Sequence, residues 1–186
     1  MNSIALSVPA VDHQLLRRVA DGDRQAFDEL YATYSASIFN YIIRLVHEPT
    51  VAEELLQEVF LATWQGAGRF REQARVKTWL LHIAHNQTVT WLRRHHPVSK
   101  LDDLVEVAAD DHVEDQIAVL GRADQVRAAL DQLSANHRAV IELAYVQELS
   151  YAEIAAVMSC PIGTVKSRMS YALRHLGSVL AETNLE

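Results

Sequence analysis

Apolar residues recur at helical spacing along most of the chain, and the register breaks only at a few turn-forming positions. Phe27, Leu30, Tyr31, Tyr34, Ile38, Tyr41, Ile42 and Leu45 fall three or four residues apart, which predicts one long core helix over about residues 24–47. A shorter helix before it ends at Asp21-Gly22, where glycine closes the last turn. From Val51 to Trp64 the pattern places Leu55, Leu56, Val59, Phe60 and Trp64 on a buried stripe and Glu53, Glu54, Gln57 and Glu58 on the opposite face. Gly66 and Gly68 open a loop carrying Arg69, Arg71, Arg75 and Lys77. A long helix follows from about Thr78 to Arg94, and Pro97 stops it.

Helical periodicity resumes near Val113 and continues through Leu130 and Leu133, after which Ser134 is placed to start a helix reaching Tyr145. Ser150 and Glu153 have the spacing of a capping box, in which each side chain satisfies a backbone N–H at the helix start. That box predicts a short helix over Tyr151 to Met158. Ser159-Cys160-Pro161 makes a tight turn, Pro161 suits a first helical position, and a last helix extends from about Ile162 to Leu180. Nowhere do apolar and polar residues alternate as a strand requires. The expected fold class is therefore all-α.

Charge then divides the chain. The formal net charge is −7, unfavourable at first sight for a nucleic-acid ligand, because Lys and Arg supply most of the affinity for phosphate. Residues 1–95, however, carry ten Lys and Arg against ten Asp and Glu, residues 122–186 six against seven, and residues 96–121 only Lys100 against Asp102, Asp103, Glu106, Asp110, Asp111, Glu114 and Asp115. The excess sits between two near-neutral halves. This predicts two small helical domains, residues 1–95 and 122–186, joined by a flexible acidic linker over 96–121. With 49% hydrophobic and 22% charged residues the composition is that of a folded soluble protein. The single cysteine, Cys160, excludes an internal disulfide framework and fits the cytoplasm. No stretch approaches the roughly 20 apolar residues that span a bilayer.

Two helices joined by a three- or four-residue turn, the first short and the second amphipathic, are the arrangement whose second helix enters the DNA major groove. Ala155 is small where the two helices cross, and Ile154, Met158, Ile162 and Val165 are apolar where the pair packs on the preceding helices. Lys166, Ser167, Ser170 and Tyr171 are left on the outward face. The first N–H groups of the second helix, around Gly163 and Thr164, suit a phosphate oxygen. On spacing alone an ordinary helical hairpin with a solvated outer face fits as well.

Longer runs narrow the choice. Leu149-Ser-Tyr-Ala-Glu-Ile-Ala followed by Cys160-Pro-Ile-Gly-Thr-Val-Lys-Ser-Arg168 resembles the second domain of extracytoplasmic-function sigma factors. Ala52-Glu-Glu-Leu-Leu-Gln-Glu-Val-Phe60 and Thr78-Trp-Leu-Leu-His-Ile-Ala-His-Asn86, closing on Trp91-Leu-Arg-Arg94, resemble the first domain, in the same order. The resemblance implies a non-catalytic protein, without cofactor, metal or small-molecule substrate, that binds core RNA polymerase and promoter DNA and is held by an anti-sigma factor, often membrane-tethered. It assigns core-polymerase binding to Glu53, Glu54, Gln57 and Glu58. Reading and opening of the minus-ten element falls to Arg71, Arg75, Lys77, His82, Asn86, Thr90 and Arg93, and minus-thirty-five recognition to Gly163, Thr164, Lys166, Ser167, Arg168, Ser170 and Tyr171. The chain departs from the family pattern at Ser159, where glycine is usual, at Ser134 in place of a common proline, at Glu148 in place of a small residue, and at Tyr171, a position often basic.

Two other classes compete with this reading. Nine histidines, including His82 and His85 three residues apart and the pair His95-His96, invite a metalloenzyme reading, yet no Glu or Cys completes a familiar ligand set. A stand-alone helix-turn-helix regulator of duplex DNA would explain the C-terminal half but leaves the upstream motifs without a task.

Overall fold

The computed structural model describes residues 8–71, 74–95 and 123–183, and every regular element among them is helical. The chain divides near Trp91 into two compact units. The acidic stretch 96–121 lies outside the described residues.

The first unit contains α1 (Val8–Ala20), α2 (Arg24–Val46), α3 (Pro49–Gly66) and α4 (Val76–His95). Asp23 caps α2, its carboxylate accepting the Ala26 N–H at 3.1 Å and a hydrogen bond from Arg18 at 2.8 Å. The Ala26 amide, and after it Arg18, hold this carboxyl below its usual range. At the other end His47 takes a left-handed conformation (φ 61°) and returns its N–H to Ile43, and Pro49 then opens α3 where no N–H is needed. Leu16, Val19, Leu30, Ile38, Ile42, Val59, Leu80, Leu81 and Ala84 are almost wholly buried, and a large apolar side chain taken from water contributes about 1.5–3 kcal/mol. A polar pair lies within this core, the hydroxyl of Tyr41 being 2.8 Å from Nδ1 of His85.

Three expectations need correction here. Tyr31, placed in the core by periodicity, is 41% exposed, its ring lying on Phe60 at 4.6 Å. Trp64 is only half-buried, edge-on to Phe27 at 5.3 Å, while Ala52 and Thr63 complete the stripe of α3. And α4 begins two residues before Thr78, so Lys77 belongs to its first turn and not to the loop.

The second unit contains α5 (Ala123–Asp131), α6 (Ala135–Ile141), which continues through a π turn over Glu142–Val146, α7 (Tyr151–Met158) and α8 (Ile162–Thr183). Ser134 caps α6 as expected. The buried guanidinium of Arg138 donates to the carbonyls of Leu130 (2.9 Å), Asp131 (2.9 Å) and Leu133 (3.1 Å). Leu130 and Asp131 close α5, where no N–H of the helix itself remains to meet their carbonyls, and Leu133 follows it; a cation is favoured there by the helix dipole. Leu143, Ile154, Val157, Val165, Met169 and Ala172 form the core that α5, α6 and α7 share with α8.

Candidate nucleic-acid interface

The helix-turn-helix is built by local chemistry that can be followed bond by bond. Ser150 accepts the Glu153 N–H (3.3 Å), and the Glu153 carboxylate accepts from the Ser150 N–H (2.9 Å) and hydroxyl (2.7 Å). α7 therefore starts where the capping box requires. It ends in a left-handed residue, Ser159 (φ 51°), beyond which the Cys160 N–H returns to the Ala155 carbonyl at 3.1 Å, the closure that glycine normally serves. Without glycine the positive φ costs about 1 kcal/mol. Pro161 does not occupy the first helical position. It precedes α8, and its carbonyl accepts the N–H groups of Thr164 (2.9 Å) and Val165 (3.2 Å). The Thr164 amide is thus committed to the turn and is not a phosphate donor.

On α8 the inward positions are Val165, Met169 and Ala172, with Ile154, Ala155 and Met158 buried on α7. Lys166 and Gly163 are exposed, and Thr164, Ser167, Arg168 and Tyr171 are half-buried. Two assignments change. Ile162, expected to pack inward, is 46% exposed, and Ser170, expected to face outward, is 9% exposed. Ser167 donates its hydroxyl to the Thr164 carbonyl (3.1 Å). Arg168 reaches back to the sulfur of Cys160 at 4.0 Å; burial pushes that thiol up, against the smaller opposing pull of Arg168, so the thiol stays protonated near neutrality. Tyr171 lies against His137 (4.3 Å between ring centres) and parallel to His175 (6.3 Å, 3°).

In the first unit, Glu53, Glu54, Gln57 and Glu58 are all exposed on α3. Leu61 continues that row one turn on and is 57% exposed. Along α4, Asn86, Thr90 and Arg93 are exposed, His82 is half-buried, and Leu80 and Ala84 face the core. The Asn86 amide nitrogen is 3.1 Å from Nε2 of His82, so the two residues form one polar cluster. His85 points the other way, into the core at Tyr41, which separates it from His82 despite their spacing. Arg71 and Arg75 are exposed at the two ends of the loop before α4. Trp79 packs on Phe70 at 5.2 Å.

The two helical units, the second a helix-turn-helix, each match a known protein family. A sigma-70 region 2 model matches residues 30–97 and a sigma-70 region 4 model residues 123–176. The RNA polymerase sigma-H factor of Pseudomonas aeruginosa is 34% identical over 180 residues, covering 91% of this chain and 93% of that protein. The ECF RNA polymerase sigma factor SigK of a Mycobacterium species is 31% identical over 171 residues, 89% of each. The chain belongs to the extracytoplasmic-function sigma factors of the sigma-70 family.

Solved structures agree. The sigma factor RpoE of Bartonella quintana, in complex with the anti-sigma factor NepR, matches with a TM-score of 0.64 and 28% identity over 83% of this chain and 96% of its own. CnrH, in complex with the cytosolic domain of CnrY, shares the fold with a TM-score of 0.69 over 92% and 97%, at 22% identity. As a sigma factor, the chain binds core RNA polymerase and directs it to promoters.

Sequence reasoning missed two residues beside the sigma-factor motifs. Leu61 extends the acidic row and was legible only as an apolar residue on the wrong face of α3. Arg138 was harder to read, because the acceptors of its hydrogen bonds are carbonyls, which every residue has, and the one side-chain signal was the acid Glu142 four residues on, whose charge acts on it.

Proposed function

We propose that this sigma factor binds core polymerase through the outward face of α3, opens and reads the minus-ten element with α4 and the loop before it, and reads the minus-thirty-five element with α8. Residues 1–95 take the first two tasks and residues 122–186 the third, with the acidic residues 96–121 between them. The observation that carries this reading is that α3, α4 and α8 each combine a buried apolar side with an exposed polar side, in the chain order of the family's motifs.

Each face fits its task chemically. Glu53, Glu54, Gln57 and Glu58 give an acidic row that a basic partner helix would meet in one register. At α4 the His82 ring engages the Asn86 amide nitrogen, which turns the amide oxygen to an unpaired base, while Arg71, Arg75, Lys77, Thr90 and Arg93 follow the single-stranded backbone. On α8, Lys166 stands at the helix start where a side chain reaches base edges, with Gly163, Thr164, Ser167 and Arg168 around it. Tyr171 supports this surface from a half-buried position and Ser170 from a buried one. The protein acts by binding, with no catalytic residue assigned.

An anti-sigma partner follows from the same reading, supported by the RpoE relative solved with NepR, and it would hold the protein inactive until a signal. The site of action is the cytoplasm. No described helix is long and apolar enough to cross a membrane.

Run-off transcription from a promoter library with purified core enzyme tests the proposal. A sigma factor makes core initiate at a defined subset of promoters. A stand-alone helix-turn-helix regulator binds duplex DNA and leaves core silent, and that outcome would overturn the reading.

A further inference from the structure

Helix α1 has no part in the assignments above, yet one of its side chains reaches the loop that carries Arg71 and Arg75. α1 packs against the turn at Ala67–Arg69. From it the half-buried ring of His13 places Nε2 3.0 Å from the carbonyl oxygen of Ala74, 61 residues away in sequence. A carbonyl can only accept. Nε2 therefore carries the hydrogen, and the bond persists whether the ring is neutral or charged. The same ring stands edge-on to Phe70 at 5.5 Å, and Phe70 lies on Trp79 at 5.2 Å. The Phe70 N–H closes on Ala67 (3.1 Å), and the Arg75 carbonyl accepts the Trp79 N–H (3.1 Å).

We propose that His13 is a positioning residue for promoter opening, one that holds Phe70 and Ala74 in place so that the adjoining Arg71 and Arg75 are pre-set for single-stranded DNA. The inference rests on the minus-ten reading of that loop. Its physical basis is preorganisation: a loop fixed before binding loses less conformational freedom when it binds. The brace joins the first helix to Phe70 and Ala74, next to the two exposed arginines. A histidine that served only to seat α1 would need its ring contact with Phe70 and no donor toward Ala74.

The test uses the full-length protein bound to core polymerase and a labelled single-stranded oligonucleotide carrying the minus-ten element of a promoter selected from a library. His13→Leu keeps apolar bulk and removes the donor, while His13→Gln keeps an N–H donor. His13→Leu should bind the oligonucleotide roughly three- to ten-fold more weakly, the effect of one neutral hydrogen bond, and His13→Gln should recover most of the loss. Trypsin cleavage after Arg71 and Arg75 should accelerate several-fold in His13→Leu, while cleavage elsewhere is unchanged. If His13→Leu lowers the melting temperature of the whole chain, His13→Asn replaces it, its amide being too short to reach Ala74. Equal behaviour of the donor-free and donor-keeping variants, whether both bind as wild type or both are impaired, overturns the brace. Arg71→Ala/Arg75→Ala is the control for the underlying reading. Weakened binding there with wild-type binding in His13→Leu defeats the brace alone, and wild-type binding in the arginine variant defeats the loop assignment and the brace with it.

Discussion

Lys166 and Arg138, two cations of the second unit, have different surroundings, and the difference bears on what each does. Lys166 is exposed on the first turns of α8, where its charge stabilises nothing in the free protein beyond what a surface group can. Under the proposed reading its contribution comes from DNA. Lys166→Ala should weaken promoter binding by about 1–3 kcal/mol if the side chain reads a base edge, with a loss that varies with the minus-thirty-five sequence. Affinity measured over a panel of minus-thirty-five variants checks this; a loss uniform across the panel would make Lys166 a phosphate contact. Arg138 is 7% exposed and serves three carbonyls at the end of α5. Arg138→Ala should cost about 2–4 kcal/mol of stability, because three carbonyls, that of the buried Leu133 among them, lose their charged donor. Denaturant melting followed by circular dichroism measures the loss, and a cost under about 1 kcal/mol would mean that water or another donor replaces the guanidinium.

At the scale of elements, helix starts written in side-chain chemistry were legible and helix surroundings were not. The Ser150–Glu153 box gave α7 its bounds at Tyr151 and Met158 because the capping bonds are local. The turn after it was legible too, and two of the noted departures from the family pattern, Glu148 and Ser159, prove to be left-handed residues with φ of 58° and 51°, which is why small residues are usual there. Exposure along α8 was misjudged at Ile162 and Ser170. A wheel of residues assumes one cover for the whole helix, whereas α8 packs on α7, α6 and α5, so its outward arc changes along its length. The outward face of α3 was read correctly, and Leu61, four residues from Gln57 and three from Glu58, falls on it by the same periodicity.

Two predictions belong to these elements. Charge reversal at Glu54 and Glu58 should weaken core-polymerase binding while the helical circular dichroism is unchanged, since both side chains are exposed on α3; core affinity equal to wild type would remove the assigned interface. At the start of α2, the Asp23 carboxyl lies below its usual value of 3.8, so its ionised form is preferred in the folded state. A depressed folded value adds stability that is present above the unfolded value and lost as the pH falls through the folded one. Asn caps a helix as well as Asp but does not titrate. The melting temperature of wild type should therefore exceed that of Asp23→Asn near neutrality, and the gap should close as the pH drops below about 4. A gap constant from neutral to acid pH would show that the cap, and not the charge, makes the difference.

For the whole molecule the governing quantity is charge, and it opposes the function that the helices serve. A chain of net charge −7 must approach a polyanion, and seven of its acids lie between residues 96 and 121, outside the near-neutral halves that carry the recognition helices. Such a field repels phosphate most where salt is lowest, since the screening length is about 30 Å at 0.01 M and about 8 Å at physiological ionic strength. Free protein should therefore bind duplex promoter DNA poorly, and binding should depend on core polymerase, whose own contacts outweigh the repulsion. Replacing Asp102, Asp103, Asp110 and Asp111 by Asn removes four negative charges from a stretch to which no recognition residue is assigned. The free variant should bind promoter DNA more tightly than wild type at low salt, the two should converge as salt rises, and specific initiation by the holoenzyme should change less than free binding does. Anisotropy titrations over a salt series, with and without core, read all three quantities together. Tight and specific binding by free wild type, or no gain from neutralisation at low salt, would show that the acidic stretch does not guard the DNA-binding surfaces electrostatically.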